Sequence, residues 1–300
     1  VTLEPCCHYG KTPPCTEAIL EQKIARVVIG SRDPNPLVSG KGAAILRAAG
    51  VRVEEDFMRE ECDALNPVFF HYITKKTPYV VMKYAMTADG KIAARTGDSK
   101  WITGESARKK VQELRHRYMG IMAGIGTVLA DDPMLNVRIP GLKSPVRIIC
   151  DSGLRIPMDS KIVKTAKEYR TIVAYAGEHS GEGCKEAEEK EEQLHTAGVE
   201  TVSVPDADGR VDLRKLMEYL GKQGIDSVLL EGGGTLNDAA LSAGIVNEIC
   251  AFIAPKIFGG AGAKTPVSGI GVAHPAEAVK LTLRQMETIG DDLMLRYSVD

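Results

Sequence analysis

Near the start of the chain, the eleven residues PCCHYGKTPPC hold Cys6, Cys7, His8 and Cys15 among prolines and one glycine. Thiolates and imidazoles are the ligands zinc prefers, and a catalytic zinc keeps one of its four positions for water. Eight residues separate Cys6 from Cys15, so the loop between them must fold back, and Gly10, Pro13 and Pro14 suit that turn. Pro14 followed by the helical TEAILEQ predicts Cys15 at a helix N-terminus, where the positive end favours a thiolate. By spacing alone, the readings are a zinc site or a loop that happens to hold cysteines.

Two further stretches could do chemistry. In LLEGGGTLNDAAL (229–241) a buried-looking strand runs through three glycines into a helix. Glycines admit a ligand to the backbone, and a helix N-terminus offers free N–H groups to a phosphate. A tight strand–helix turn is the competing reading. GDSKWITGESARKKVQELRHRY (97–118) and GIGTVLADDPMLNVR (124–138) form the other stretch. The only tryptophan, Trp101, stands there in a Gly/Ser/Thr-rich loop rather than an apolar stripe. Asp131, Asp132 and Arg138 read as one loop that could bind a sugar hydroxyl and a phosphate, or only form a loop salt bridge.

The elements around these stretches alternate between strand and helix. ARVVIG (25–30) and VRVEE (51–55) read as strands around the helix GKGAAILRAAG (40–50). MREECDALNPVFFHYIT (58–74) is a helix interrupted at Asn66-Pro67. The polar KKTP (75–78) marks a domain boundary, giving domains 1–76 and 77–300. Beyond it come the strand YVVMKYAM (79–86) and a helix over 103–118 with Thr103 as its N-cap. Strands follow at 120–124, 146–151 and 171–176, then a charged helix at 181–198. Later strands are predicted at 199–204, 225–232 and 248–255. The end, 280–299, reads as an antiparallel pair around Gly290-Asp291. This pattern is α/β, a mostly parallel sheet with antiparallel strands at its end.

The 300 residues suit two domains or one large α/β domain, and 44% hydrophobic with 26% charged residues is ordinary for a globular chain. A formal net charge of −2 gives no reason to expect nucleic acid as a partner. No apolar run is long enough for a membrane span, and no basic segment precedes an apolar one as in a signal peptide. Seven cysteines, three clustered and four scattered, make a poor disulfide framework and predict a reducing, cytoplasmic setting. The start VTLEP reads as a strand end without a start methionine, which predicts that sequence is missing before Val1.

LEPCCHYGKTPPC resembles the second half of the zinc site in riboflavin-pathway pyrimidine deaminases. YVVMKYAMTADGKIA, TGDSKWIT, GTVLADDPMLNVR, VLLEGGGTLNDAAL and APKIFGG resemble the reductase domain that follows it in the bifunctional riboflavin-biosynthesis enzymes. The resemblance covers essentially the whole chain. It implies a partial cytidine-deaminase-like zinc domain followed by a dihydrofolate-reductase-like domain with a mixed sheet.

The resemblance also implies roles. Cys6 and Cys15 match two zinc ligands. His8, Lys11, Asp33 and Asn35 match contacts to the pyrimidine substrate and its phosphate. The third zinc ligand and the acid/base glutamate belong to a His-x-Glu motif. None of the six histidines stands in one, so no deamination is expected from this chain and zinc should be held weakly. In the reductase, NADPH is implied as the cofactor. Ala85, Trp101, Thr103, Thr127, Asp131, Ser152, Gly233, Gly234, Thr235, Leu236, Asn237, Asp238 and Ala239 match cofactor positions. Ser99, Arg115, Leu135, Arg138 and Glu231 match substrate contacts, with both arginines expected on the 5′-phosphate. Lys83 lies beside the reacting ribose and, with Glu231, is the catalytic candidate. A homo-oligomer is implied. Competing classes are a non-catalytic zinc-binding protein and a reductase of a folate-like substrate.

Overall fold

The computed structural model describes residues 1–10, 12–177 and 184–300. The chain divides into two compact units, Val1–Thr77 and Pro78–Asp300.

The first unit runs α1 (Cys15–Glu21), β1 (Arg26–Val28), α2 (Lys41–Ala48), β2 (Arg52–Glu54), α3 (Arg59–Leu65) and α4 (Pro67–Lys75). β1 and β2 pair in parallel, and Leu3 bridges Ser31 in parallel. Val27, Ile29, Ala43, Leu46 and Val51 form the core where α2 covers these strands. The expected break at Pro67 separates α3 from α4, because proline cannot donate into a preceding helical turn.

The second unit begins with β3 (Tyr79–Thr87), α5 (Glu105–Arg117), β4 (Gly120–Gly124), α6 (Ile125–Asp131), β5 (Val146–Cys150) and α7 (Lys161–Lys164). It continues with β6 (Thr171–Tyr175), α8 (Cys184–Thr196), β7 (Val199–Ser203), α9 (Leu213–Lys222), β8 (Ser227–Leu230) and α10 (Gly234–Ser242). β9 (Val246–Ala254), β10 (Leu281–Ile289) and β11 (Asp292–Val299) close it. The nine strands lie in the order β10-β11-β9-β3-β8-β4-β5-β6-β7. From β9 to β7 every pairing is parallel, whereas β11 joins β9 antiparallel and β10 turns back on β11. The mixed sheet is thus the one the sequence pattern predicts.

Side-chain alternation splits the core into two layers. Val80, Met82, Met122, Ile148, Ile172, Val228 and Leu230 pack with Leu216, Met217 and Leu220 of α9. Ile121, Ala123, Ile149 and Val173 pack instead with Val128 of α6, Ile162 of α7 and Leu194 of α8. From β3 the chain passes the place of β8 to lay down β4 through β7, then returns to insert β8 between β3 and β4. Such a reversal opens a crevice at the carboxyl ends of the strands, where α/β folds take their ligands.

Two local expectations are corrected. The helix predicted from Thr103 starts at Glu105, with Gly104 as N-cap; the Gly104 N–H donates to Asp292 Oδ2 at 2.7 Å, so a carboxylate remote in sequence serves this helix end. Of the two aspartates, only Asp132 shares the 132–145 connection with Arg138. Asp131 ends α6, and Asp132 caps it in a left-handed conformation while bonding Lys161. Of the charged helix, Cys184–Thr196 is described, and 181–183 lie outside the described residues.

Candidate active site

The alternation along β3 that buries Val80 and Met82 on one face sends Lys83 and Ala85 to the other. β8 pairs Leu230 with Met82, so Glu231, the next residue, emerges beside Lys83 on that face. The Lys83 Nζ lies 3.6 Å from Glu231 Oε2. From α5, Arg115 grips the same carboxylate with both prongs, Nε to Oε1 at 2.7 Å and Nη2 to Oε2 at 3.0 Å. Its remaining Nη1 donates to the Asn136 carbonyl at 3.1 Å, which ties the 133–138 segment to the cluster. Three side chains distant in sequence thus meet at the carboxyl edge of the switch-point strands.

All three are largely withdrawn from water, with side-chain exposures of 14%, 11% and 13% for Lys83, Glu231 and Arg115. Burial by itself raises the Glu231 pKa, but Arg115 and then Lys83 outweigh it and bring it down to about 2. Two cations against one carboxylate leave a single positive charge, which suits an anionic ligand.

Other predicted positions gather along the same edge. Ala85 lies on β3, Thr127 and Asp131 on α6 after β4, and Ser152 just after β5. The Ser152 Oγ accepts from the Val211 N–H at 3.2 Å. Gly233 is the N-cap of α10. Gly234 is crowded by the chain itself, since a Cβ there would meet the Thr265 carbonyl at 2.8 Å and Ser268 Oγ at 2.9 Å. Asn237 is buried and donates to the Pro266 carbonyl, so it anchors that segment. Leu135 turns its side chain into the core at 3% exposure, with a left-handed backbone (φ +48°). Only its backbone is left to meet a ligand. Arg138 is exposed, and its N–H donates to Gln112 Oε1. Arg115, expected on the 5′-phosphate, is paired here with Glu231.

In the first unit, Cys15 opens α1 and its N–H donates to Cys6 Sγ at 3.2 Å. The Cys15 pKa is raised, first by its hydrogen bond with the Cys6 sulfur and then by burial. Among the described residues no group of three His, Cys, Asp or Glu side chains could hold a metal ion. Two cysteines do not complete a zinc site. His8 Nδ1 is buried without a hydrogen-bond partner. Asp33 and Asn35 close their own turn: Asp33 Oδ1 accepts from the Asn35 N–H and Asn35 Oδ1 from the Leu37 N–H. Burial raises the Asp33 pKa. Lys11 lies outside the described residues.

Sequence reasoning passed over two buried charges. Glu4 is 3% exposed and accepts N–H bonds from Gly40 and Ala43 at the start of α2. Arg147 is fully buried in mid-β5. Its signal was an arginine inside VRIIC, an otherwise apolar central strand.

A three-layer α/β domain with a largely enclosed lysine–glutamate–arginine cluster at the carboxyl edge of its switch-point strands is the build of a small-molecule enzyme. Comparison with known proteins gives the family. Residues 78–295 match the RibD C-terminal domain. The riboflavin biosynthesis protein RibD of Actinobacillus pleuropneumoniae is 56% identical over 299 residues, which cover 100% of this chain and 77% of that protein. Among solved structures, Acinetobacter baumannii RibD superposes with a TM-score of 0.83 at 33% identity, covering 99% of this chain and 79% of that one. A diaminohydroxyphosphoribosylaminopyrimidine deaminase/5-amino-6-(5-phosphoribosylamino)uracil reductase from Thermotoga maritima gives 0.82 at 34% identity, covering 99% and 78%. The chain belongs to the RibD family of riboflavin-biosynthesis proteins and carries its reductase domain.

Proposed function

We propose that the second unit reduces the ribosyl group of 5-amino-6-(5-phosphoribosylamino)uracil to a ribityl chain with NADPH. The Lys83–Glu231–Arg115 cluster carries this reading. The edge fits a dinucleotide: a Cβ on Gly233 would meet no heavy atom within 4 Å, so the start of α10 is open there, and the first turn of a helix leaves N–H groups for a phosphate. Residues that would hold the cofactor are Ala85, Trp101, Thr103, Thr127, Asp131, Ser152 and the stretch Gly233 to Ala239. When bound, NADPH supplies the hydride that ends on C1′ of the sugar.

The chain's own residues manage the proton and the charge. Opening the ribose ring needs a proton on the ring oxygen as its bond to C1′ breaks, and the Lys83 ammonium is the donor we assign. Glu231 holds that ammonium in place, 3.6 Å away, while Arg115 keeps the carboxylate ionised. The surplus positive charge, with Arg138 exposed on the neighbouring segment, favours the 5′-phosphate. Ser99 and the Leu135 backbone complete the substrate contacts.

We read the first unit as part of a pyrimidine deaminase domain, with Cys6 and Cys15 as two zinc ligands and His8, Lys11, Asp33 and Asn35 around its substrate. The chain alone is not expected to deaminate. NADPH oxidation tests both statements, with the deaminated substrate and, separately, its undeaminated precursor. Turnover is expected with the deaminated compound only. Turnover with a pterin instead would assign a folate-type reductase, and none with any substrate from a folded chain would remove the reading.

A further inference from the structure

The stretches TADGKIA and APKIFGG take no part in that chemistry, yet they meet at one place. Asp89 accepts from Thr87 Oγ1 at 2.5 Å and from the N–H groups of Phe258 and Gly259 at 3.1 and 2.7 Å. The Ala88 N–H donates to the Lys256 carbonyl at 2.9 Å. Residues 256–259 are thereby fastened to the end of β3, the strand of Lys83 and Ala85. From this base the Lys256 Nζ donates to two consecutive carbonyls, Trp101 at 3.0 Å and Ile102 at 2.9 Å.

Those carbonyls belong to an unusual turn. Trp101 has φ +62°, a left-handed conformation that bulky residues rarely adopt and that surrounding structure must maintain. One ammonium on two successive carbonyls fixes the orientation of both peptides. On the far side Arg108 donates to the Thr103 carbonyl at 2.7 Å and stacks its guanidinium 4.2 Å from the Trp101 ring centroid. Trp101 nevertheless stays 65% exposed. Such a ring, held in place and left open, is a surface for a planar heteroaromatic group.

We propose that Lys256 is a positioning residue. It holds the Trp101 turn so that the ring is presented to the cofactor, and thereby sets cofactor affinity. This rests on the NADPH reading given under Proposed function. A plain surface lysine would leave both the turn and the cofactor unaffected when replaced.

Trp101 is the only tryptophan, so tryptophan emission reports on this turn directly. K256M and K256R in the full chain are the test, with K256Q as a second removal should K256M melt early. In K256M, tryptophan anisotropy is expected to fall and the KM for NADPH to rise about tenfold, with kcat held within about twofold. K256R, which can still donate to both carbonyls, should stay near the wild type in both readouts. Unchanged anisotropy in a folded K256M overturns the proposal, and so does lower anisotropy with an unchanged KM. Failure of the cofactor reading is recognised separately, in the wild type: no NADPH oxidation and no energy transfer from Trp101 to reduced nicotinamide would remove it, and the proposal with it.

Discussion

Two arginines in the second unit, Arg147 buried and Arg115 nearly so, use their charge differently. Arg147, in mid-β5, donates only to neutral oxygens: the hydroxyls of Thr165 and Thr171 and the carbonyls of Met134, Ile162 and Tyr169, at 2.7 to 3.3 Å. Burial lowers its pKa to about 10, so it remains charged at neutral pH. Arg115 gives two of its nitrogens to one carboxylate that also faces Lys83. The first arrangement spreads a charge over four segments and fastens them together. The second gathers three charges at one point on the ligand edge. Burial of an arginine therefore does not mark a site; a shared ionised partner beside a second cation, at the carboxyl ends of the strands, does.

The largest expected effect lies in that cluster. K83M removes the proposed proton donor while leaving the Arg115–Glu231 pair in place. It should lower kcat about a thousandfold, within the range of general acid catalysis, and leave the melting transition near the wild type. A K83M chain with wild-type kcat would dissolve the contrast between the two arginine regions, because the charge cluster would then be structural as well.

The two arginines should separate in the next experiment. R147M strands three carbonyls and two hydroxyls in the interior and should cost about 3 kcal/mol of stability in urea unfolding. Turnover per folded molecule should be unchanged. R115M breaks a buried ion pair and should cost a similar amount, but with loss of turnover as well. Loss of turnover in R147M at full stability would contradict the assignment of that arginine to structure.

The strands and helices that carry the cluster were legible because their patterns are local. Apolar runs bounded by glycine and proline gave the central strands, and Gly290-Asp291 gave the terminal hairpin, with Ile289 opposite Asp292. Lys83, Arg115 and Glu231 were marked only by family resemblance. Their meeting depends on β8 inserting beside β3, a long-range pairing that no periodicity encodes. The N-cap of α5 was misplaced for the same reason, since its carboxylate partner is 188 residues away. Nothing local marks the partners of Arg147, because its acceptors are mostly backbone carbonyls, which leave no trace in the sequence.

Two buried carboxylates extend the comparison to pH. Glu231 has its pKa depressed from 4.5 to about 2 by its cations acting against burial. Its stabilisation is fully present above the unfolded value near 4.5 and is lost as pH falls toward 2. It should amount to about 2–3 kcal/mol, read from unfolding free energies across that window and absent from the K83M/R115M double variant. Asp151 is the opposite case. It is fully buried, its Oδ2 accepts from the Ile156 N–H at 2.7 Å, and its Oδ1 has no hydrogen-bond partner. Burial raises its pKa, only partly opposed by backbone N–H groups.

A raised carboxylate favours the folded state at low pH and loses that contribution as pH rises through its folded value. Ionising Asp151 is thus a cost that the fold carries, with Arg155 Nε, 3.8 Å away on a largely exposed side chain, giving little relief. D151N keeps an acceptor for the Ile156 N–H and removes the titration. Its effect at neutral pH should be the smallest here, within about 1 kcal/mol, because a buried amide N–H₂ replaces an oxygen that already lacked a partner. The decisive readout is slope. Above the unfolded aspartate value near 3.8, wild-type stability should decline with pH relative to D151N. Parallel curves would mean that Asp151 is ionised in the fold at no cost. The distinction between a carboxylate held charged by its neighbours and one charged in spite of them would then fail.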